Sequence, residues 1–315
     1  MTAMLALLLL GAAAVAHTAG TLPQPPPSDL PELLSWGEFK YAFGRNFSTA
    51  SDPAFHEGRR QRAFERSLRL IREHNAEAEV HGFRLGVNAY ADLDDAEFKA
   101  LLGNHHQPSA HVADELRHGG LAALPPAVDW RAKNAVSEVK TQGNCGACWA
   151  FSVTGAIEGA YAIATGALRS LSEQQLIDCS TSTGNGGCHG GTQANAFLYA
   201  IGNKGLDSEK EYTYDASDDP CWTAAEKRVV ATVDSAVHVP PNDEAALAAA
   251  VAIAPTAVSI AASPQFRLYK TGTFKGAMTC GNTSASLDHA VLAVGYTADA
   301  WIVKNVNVQA ICSCL

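Results

Sequence analysis

All eight cysteines of this 315-residue chain lie at or beyond Cys145. A thiol-free N-terminal part therefore precedes a part that disulfides can tie, and the length allows two compact units, one with a substantial core. The chain begins with MTAMLALLLLGAAAVA, an apolar run too short for a membrane span that ends in A-x-A at residues 14–16. It reads as a cleaved secretory signal over residues 1–16, although it carries no Lys or Arg. With no later apolar stretch of spanning length, the mature protein is expected to be soluble in the secretory or lysosomal/vacuolar route, where disulfides persist. NFS at Asn46 and NTS at Asn282 are glycan-acceptor triplets. A net charge of -9 argues against a general nucleic-acid surface.

Chemistry concentrates in QGNCGACWAFS, residues 142–152. Ala150, Val153, Ile157 and Ala160 recur at helical spacing, which predicts a helix from about Cys148 to Gly166. Cys148 then sits at the positive helix end, where the dipole and free amides favour the nucleophilic thiolate. Gln142 can offer a side-chain donor to a developing oxyanion, with the Cys148 amide as the second. A bare CxxC also fits half a zinc site or a redox dithiol. Here Trp149 follows directly, no second CxxC or HxxxH partner appears, and no βαβ pattern surrounds it. No metal and no cofactor are expected.

Around this run the chain changes character several times. PQPPPS, residues 23–28, is a stiff extended lead-in. Trp36, Phe39, Phe43 and Phe47 suit an amphipathic helix, and a second helix is predicted from about Pro53 to Asn75. Phe64, Leu68 and Ile71 share one face of it; Arg59, Arg62, Arg66, Arg69 and Arg72 fall mostly on others, as a solvated face paired with acids. Residues 103–124 turn polar, with His105, His106, His111 and His118 at irregular spacing, and read as an exposed processing linker. Ser172 and Gln175 form a capping box for a short helix. NDEAALAAAVAIA is a helix capped at Asn242 and stopped by Pro255, and TAVSIAA, LYKTGTF, HAVLAVGY and AWIVKN are strand-like. The predicted fold is α+β, a helical lobe facing an antiparallel β lobe.

QGNCGACWAFS resembles the active-site signature of papain-like cysteine proteases. The N-terminal helices resemble the inhibitory propeptide of the cathepsin L-like branch. Arg60, Phe64, Ile71 and Asn75 fall into its spaced pattern, with Ser67 in place of Asn and His56 in place of Glu. GVNAYAD, residues 86–92, resembles the GxNxFxD motif with Tyr90 for Phe, and LPPAVDWR, residues 124–131, resembles a mature N-terminus. The resemblance implies a propeptide with processing linker over 17–123, lying backwards across the cleft, and a two-lobe peptidase domain over 124–315 whose β lobe is an incomplete barrel. It also implies disulfides Cys145–Cys188 and Cys179–Cys221. LDHAVLAVGY resembles the segment carrying the family's base, which makes His289 the base, 141 residues after Cys148. Asn305 in WIVKN falls at the position of the imidazole-orienting amide. Gly190 and Gly191 match a glycine pair where substrate backbone approaches. Thr192, Gln193, Ala261, Leu287 and Ala290 map around the main specificity pocket, implying a hydrophobic side chain two residues before the cut.

The implied function is a monomeric cysteine endopeptidase zymogen that acts on proteins or peptides, with its own propeptide as intramolecular inhibitor. After Asn305 the sequence departs from the family. A Ser, a Trp shielding the histidine–asparagine bond, a Gly and closing strands are expected; the chain reads VNVQAICSCL, with Asn307 at the Trp position. Cys280 loses its usual late partner, leaving Cys312 or Cys314 as substitutes between which the sequence does not choose. The expectation is an impaired β lobe lacking its last strands. The alternative reading is a catalytically impaired product whose propeptide inhibits related proteases.

Overall fold

A computed structural model describes residues 34–48, 51–105, 124–226, 228–274, 286–306 and 308–312. The signal run, the Pro-rich lead-in, most of the linker, Asn282, Cys280 and Cys314 lie outside the described residues. Asn46 is exposed.

The N-terminal unit is built on aromatic packing. Ser35 and Glu38 form a capping box that starts α1 (Trp36–Ala42). Asp52 caps α2 (Pro53–Ala76), whose first helical residue is Pro53. Phe39 of the first helix packs its ring against Phe43 at the helix C-cap and against Phe64 of the second helix, with centroids 4.8 and 4.5 Å apart. Phe64 and Ile71 are fully buried, as their spacing predicts. After α3 (Ala78–His81), Gly82 takes φ 80° and releases the chain into β1 (Phe83–Leu85). Asn75 clamps this strand through both main-chain atoms of Leu85, at 2.9 Å each. A second capping box, Asp94 with Glu97, starts α4 (Asp95–Leu101). Arg59 pairs with Asp94 and Glu97, and Arg60 with Glu97, so this part of the arginine face is matched to acids.

Beyond residue 124 the chain forms β2 (Val128–Asp129), α5 (Cys148–Thr165), α6 (Glu173–Cys179), α7 (Gln193–Gly202), α8 (Thr223–Glu226) and α9 (Glu244–Ile253). There follow β3 (Thr256–Ile260), α10 (Pro264–Arg267), β4 (Tyr269–Phe274), β5 (His289–Tyr296), β6 (Trp301–Asn305) and β7 (Val308–Cys312). Ser172 accepts from the Gln175 amide at 2.9 Å, while the Gln175 side chain is engaged with Tyr199 and the Asp207 amide. The cap of α9 is Asp243, not Asn242, which instead takes φ 59°. Cys145 bonds Cys188 and Cys179 bonds Cys221, tying the loops around α5 and α6.

The sheet has seven strands, in the order β1-β4-β7-β6-β5-β2, with β3 also on β5. It is open, not closed into a barrel. Two details correct the sequence reading. The β4–β7 pair is parallel in an otherwise antiparallel sheet, and the residues after Asn305 do form a strand, paired along all of β6. The run VQAIC has the β-branched and apolar content to sustain that strand whatever its departure from the family pattern.

The lobes meet where α5 packs on β5. Gly155 admits the Leu292 side chain, which an added Cβ would approach to 2.8 Å. Ser152 Oγ donates to the Val291 carbonyl at 2.8 Å. Behind them lies a charge cluster in which Glu158 and Glu173 are buried and the lysines half-buried. Lys140 Nζ bonds Glu173 at 2.7 Å and approaches Glu158 and Glu209, while Lys304 donates to Ser137, which bonds Glu158. Burial works against the Lys140 charge, but the Glu173 and Glu158 carboxylates hold its pKa above the ordinary value.

Candidate active site

Cys148 is the first residue of α5, and no side chain caps the helix above it. It is a free cysteine and is fully buried. Docking of α5 on β5 brings the thiol to the start of the strand, where the amides of Ala290, Gly103 and Trp149 favour its anion. His289 opens β5, and its Nε2 lies 2.7 Å from Asn305 Oδ1. The Val306 amide donates to the same oxygen at 2.9 Å, which fixes the amide's orientation and makes it an acceptor. His289 therefore carries its proton on Nε2, leaving Nδ1 a buried lone pair with no hydrogen-bond partner.

Gln142 is buried and directs Nε2 at two carbonyls, Cys145 at 2.7 Å and Leu101 at 3.0 Å. The second belongs to the N-terminal unit. From Leu101 the chain continues across the site: Gly103 accepts from the Gly191 amide, and His105 donates to the Gly191 carbonyl, both at 2.8 Å. Asn104 and Gly191 form a parallel bridge, with Asn104 Nδ2 on Ser259 Oγ at 2.9 Å. The fit leaves no room. A Cβ on Gly103 would stand 1.8 Å from the Gly146 carbonyl oxygen, and one on Gly190, at φ 112°, 2.6 Å from the His105 ring. Thus residues 103–105, read from sequence as the start of an exposed linker, are a plug, with Gly103 and Asn104 buried in the cleft.

A peptide laid over a helix-end thiol beside a histidine–asparagine pair has a counterpart among known proteins. Residues 124–307 match the papain family cysteine protease domain, and residues 36–98 match the cathepsin propeptide inhibitor domain (I29). The chain belongs to the papain family of cysteine proteases. It is 46% identical over 258 residues to Cysteine protease 1 of rice (Oryza sativa subsp. japonica), a match covering 78% of this chain and 52% of that protein. The chain thus spans about half the length of that relative. Cathepsin L1 of Drosophila melanogaster is 40% identical, with 87% of this chain and 76% of that protein covered. In fold it is similar to digestive procathepsin L 3 of Tenebrio molitor, with a TM-score of 0.77, 36% identity, and 88% and 90% of the two chains covered.

In this papain-family chain the plug sets the electrostatics. Burial pushes the Cys148 thiol up to about 11, against the pull of the surrounding amides. Burial likewise drives His289 down to about 4, only partly offset by the Asn305 bond. Both groups are neutral at pH 7, so the helix-end stabilisation of a thiolate expected from sequence is overridden while water is excluded. Of the pocket residues mapped from the family, Ala261 and Ala290 are buried and Leu287 half-buried. Thr192 caps α7. Gln193 spends its amide joining the lobes, on Val258 at 2.9 Å, Ser152 at 3.1 Å and Ser259 at 3.0 Å, and so acts as a strut. Among the described residues no cluster of His, Cys, Asp and Glu could hold a metal, and no helix is long and apolar enough to cross a membrane. Sequence reading missed Leu101, Gly103 and Asn104; the only cue was a glycine between apolar and polar runs.

Proposed function

We propose that the chain is the zymogen of a cysteine endopeptidase, with 17–123 as its intramolecular inhibitor and 124–315 as the peptidase domain. Once the plug leaves, the Cys148 proton passes to His289 Nδ1 and the thiolate attacks a peptide carbonyl. Gln142 Nε2 and the Cys148 amide hold the oxyanion. Collapse breaks the C–N bond, and the imidazolium protonates the departing amine. Water, deprotonated by His289, then hydrolyses the thioester, releasing the acid and restoring the thiol. Asn305 keeps the imidazole in its working tautomer. Gly190 and Gly191 take the substrate main chain on the acyl side, and Thr192, Ala261, Leu287 and Ala290 surround a hydrophobic side chain. The route is secretory or lysosomal/vacuolar, and the active species a monomer.

The observation that carries this reading is the Leu101 carbonyl on Gln142 Nε2, beside the buried Cys148: the chain already holds a peptide carbonyl at a donor of the intended oxyanion site. Acid treatment followed by N-terminal sequencing should give a new terminus between about residues 118 and 126. Processed protein should then hydrolyse a fluorogenic peptide. Equal turnover by processed Cys148→Ser would overturn the assignment.

A further inference from the structure

Arg267 closes α10 in the peptidase domain, and its side chain is 5% exposed. A guanidinium carries five donors and keeps its charge, so at that depth it needs partners. Among the described residues every hydrogen bond and ion pair of this side chain goes to the propeptide. Nη1 donates to the Leu93 carbonyl, Nη2 lies 3.5 Å from Ser67 Oγ, and the Asp95 carboxylate stands 3.8 Å away. The Phe98 ring lies under the guanidinium at 5.7 Å, and Nε is buried with no hydrogen-bond partner at all. The charges of Asp95, Asp94 and Asp92 favour the guanidinium's own and that of Arg66 opposes it, although Asp92 and Asp94 are themselves bonded to Arg45 and Arg59. Ser67, where the family pattern has Asn, is thus in contact with this arginine.

The place of Arg267 is as telling as its partners. It lines one small cavity together with Phe266, Gln142, His289 and Asn305, roofed by propeptide residues including Leu101. The propeptide crosses the site in order: Leu93 and Asp95 at Arg267, Leu101 at Gln142, then Gly103 and His105 at Gly191. Cys148 lies between the two ends. If the acyl half of a substrate takes the Gly191 end, its leaving half takes the Arg267 end.

We infer that in the processed enzyme Arg267 is a specificity-determining residue on the leaving-group side, taking a carboxylate within the first two residues after the scissile bond. Loss of the propeptide strips the guanidinium of its acceptors and opens it beside His289. A substrate carboxylate restores the charge-assisted bonds that Asp95 and the Leu93 carbonyl supplied. That carboxylate is either a Glu or Asp side chain or the terminal carboxylate of a short leaving peptide. The inference rests on the peptidase reading above.

The test uses acid-processed protein and internally quenched peptides that differ only after the scissile bond, assayed near pH 6, where a glutamate is ionised. One pair compares Glu with Gln; a second compares a free acid with an amide two residues after the cut. Wild-type kcat/KM should favour the carboxylate of at least one pair about five- to tenfold, and the pair affected names the source. Arg267→Gln should bring that ratio to about one, and Arg267→Lys should keep part of it. The ratio is insensitive to any general loss of activity in a variant. A wild-type ratio of one in both pairs overturns the inference without recourse to variants. Absence of turnover for every peptide would count against the peptidase reading instead. The same peptides are then scored as competitors of Cys148 alkylation, where protection by carboxylate over neutral peptide supports the role of Arg267 and equal protection refutes it.

Discussion

Gly103→Ala should unlock the closed zymogen. The added Cβ would stand 1.8 Å from the Gly146 carbonyl oxygen and 2.9 Å from its Cα, and these are main-chain atoms of the nucleophile loop, pinned by the Cys145–Cys188 bond. Neither side can yield by a side-chain rotation, so residues 101–105 must lift. Five hydrogen bonds then go: the Gly191–Gly103 and His105–Gly191 pair, Asn104 on the Asp288 carbonyl, Asn104 on Ser259, and Gln142 on Leu101. At about 1 kcal/mol net each, docking loses about 5 kcal/mol. The readout is alkylation of Cys148 at pH 7 in unprocessed protein. With the thiol at about 11, about one molecule in ten thousand is a thiolate. An exposed cysteine of ordinary pKa is about 3% thiolate, so labelling should rise by about two orders of magnitude. Gly37→Ala, where an added Cβ meets nothing within 4 Å, is the control. A folded Gly103→Ala protein labelled at the wild-type rate would refute the reasoning.

Three further outcomes follow from the charges and crosslinks. His289, held at about 4, contributes stability that is full above about pH 6.5 and is lost as pH falls toward 4, about 3 kcal/mol in all. Denaturation of the zymogen at pH 7 and pH 4 should therefore show a smaller acid loss in His289→Gln, and an equal loss would refute it. Burial first, and the Glu173 charge second, push Glu209 up to about 8, so its contribution is full below about pH 4.5 and is lost as pH rises through 8. Glu209→Gln should melt higher than wild type at pH 8 and at the same temperature near pH 4. Replacing Cys179 and Cys221 together by Ser opens a link across 42 residues and should cost about 2 to 5 kcal/mol in denaturant unfolding; a cost well under 1 would show the loop to be held by packing alone.

Long periodic segments were legible in the sequence because their local preferences agree with the fold. Cys148 and Gly166 bound α5, and HAVLAVGY became β5 without a residue gained or lost. Short-range chemistry was less secure: at α9 two candidate caps are adjacent, and only the backbone decides that Asp243 serves while Asn242 turns. The partners of Arg267 and the plug were illegible for a different reason. Arg267 and Ser67 are 200 residues apart, and Gln142 and Leu101 are 41 apart. Their meeting depends on how a whole unit docks, to which no local pattern testifies. The histidines of the polar stretch looked alike in sequence, yet the backbone of His105 pairs with Gly191 because two glycines leave room for it.

The outer strand of the sheet also belongs to the propeptide. Phe83, Arg84 and Leu85 lie along Gly272, Thr271 and Tyr269, and the Phe83 ring rests 4.6 Å from that of Phe274. In the zymogen reading proposed above, removal of the propeptide would take this strand away and leave β4 with a bare margin of main-chain donors and acceptors beside newly wetted aromatic surface. Such margins recruit strands from neighbouring molecules. A processed form is therefore expected to self-associate at concentrations the zymogen tolerates.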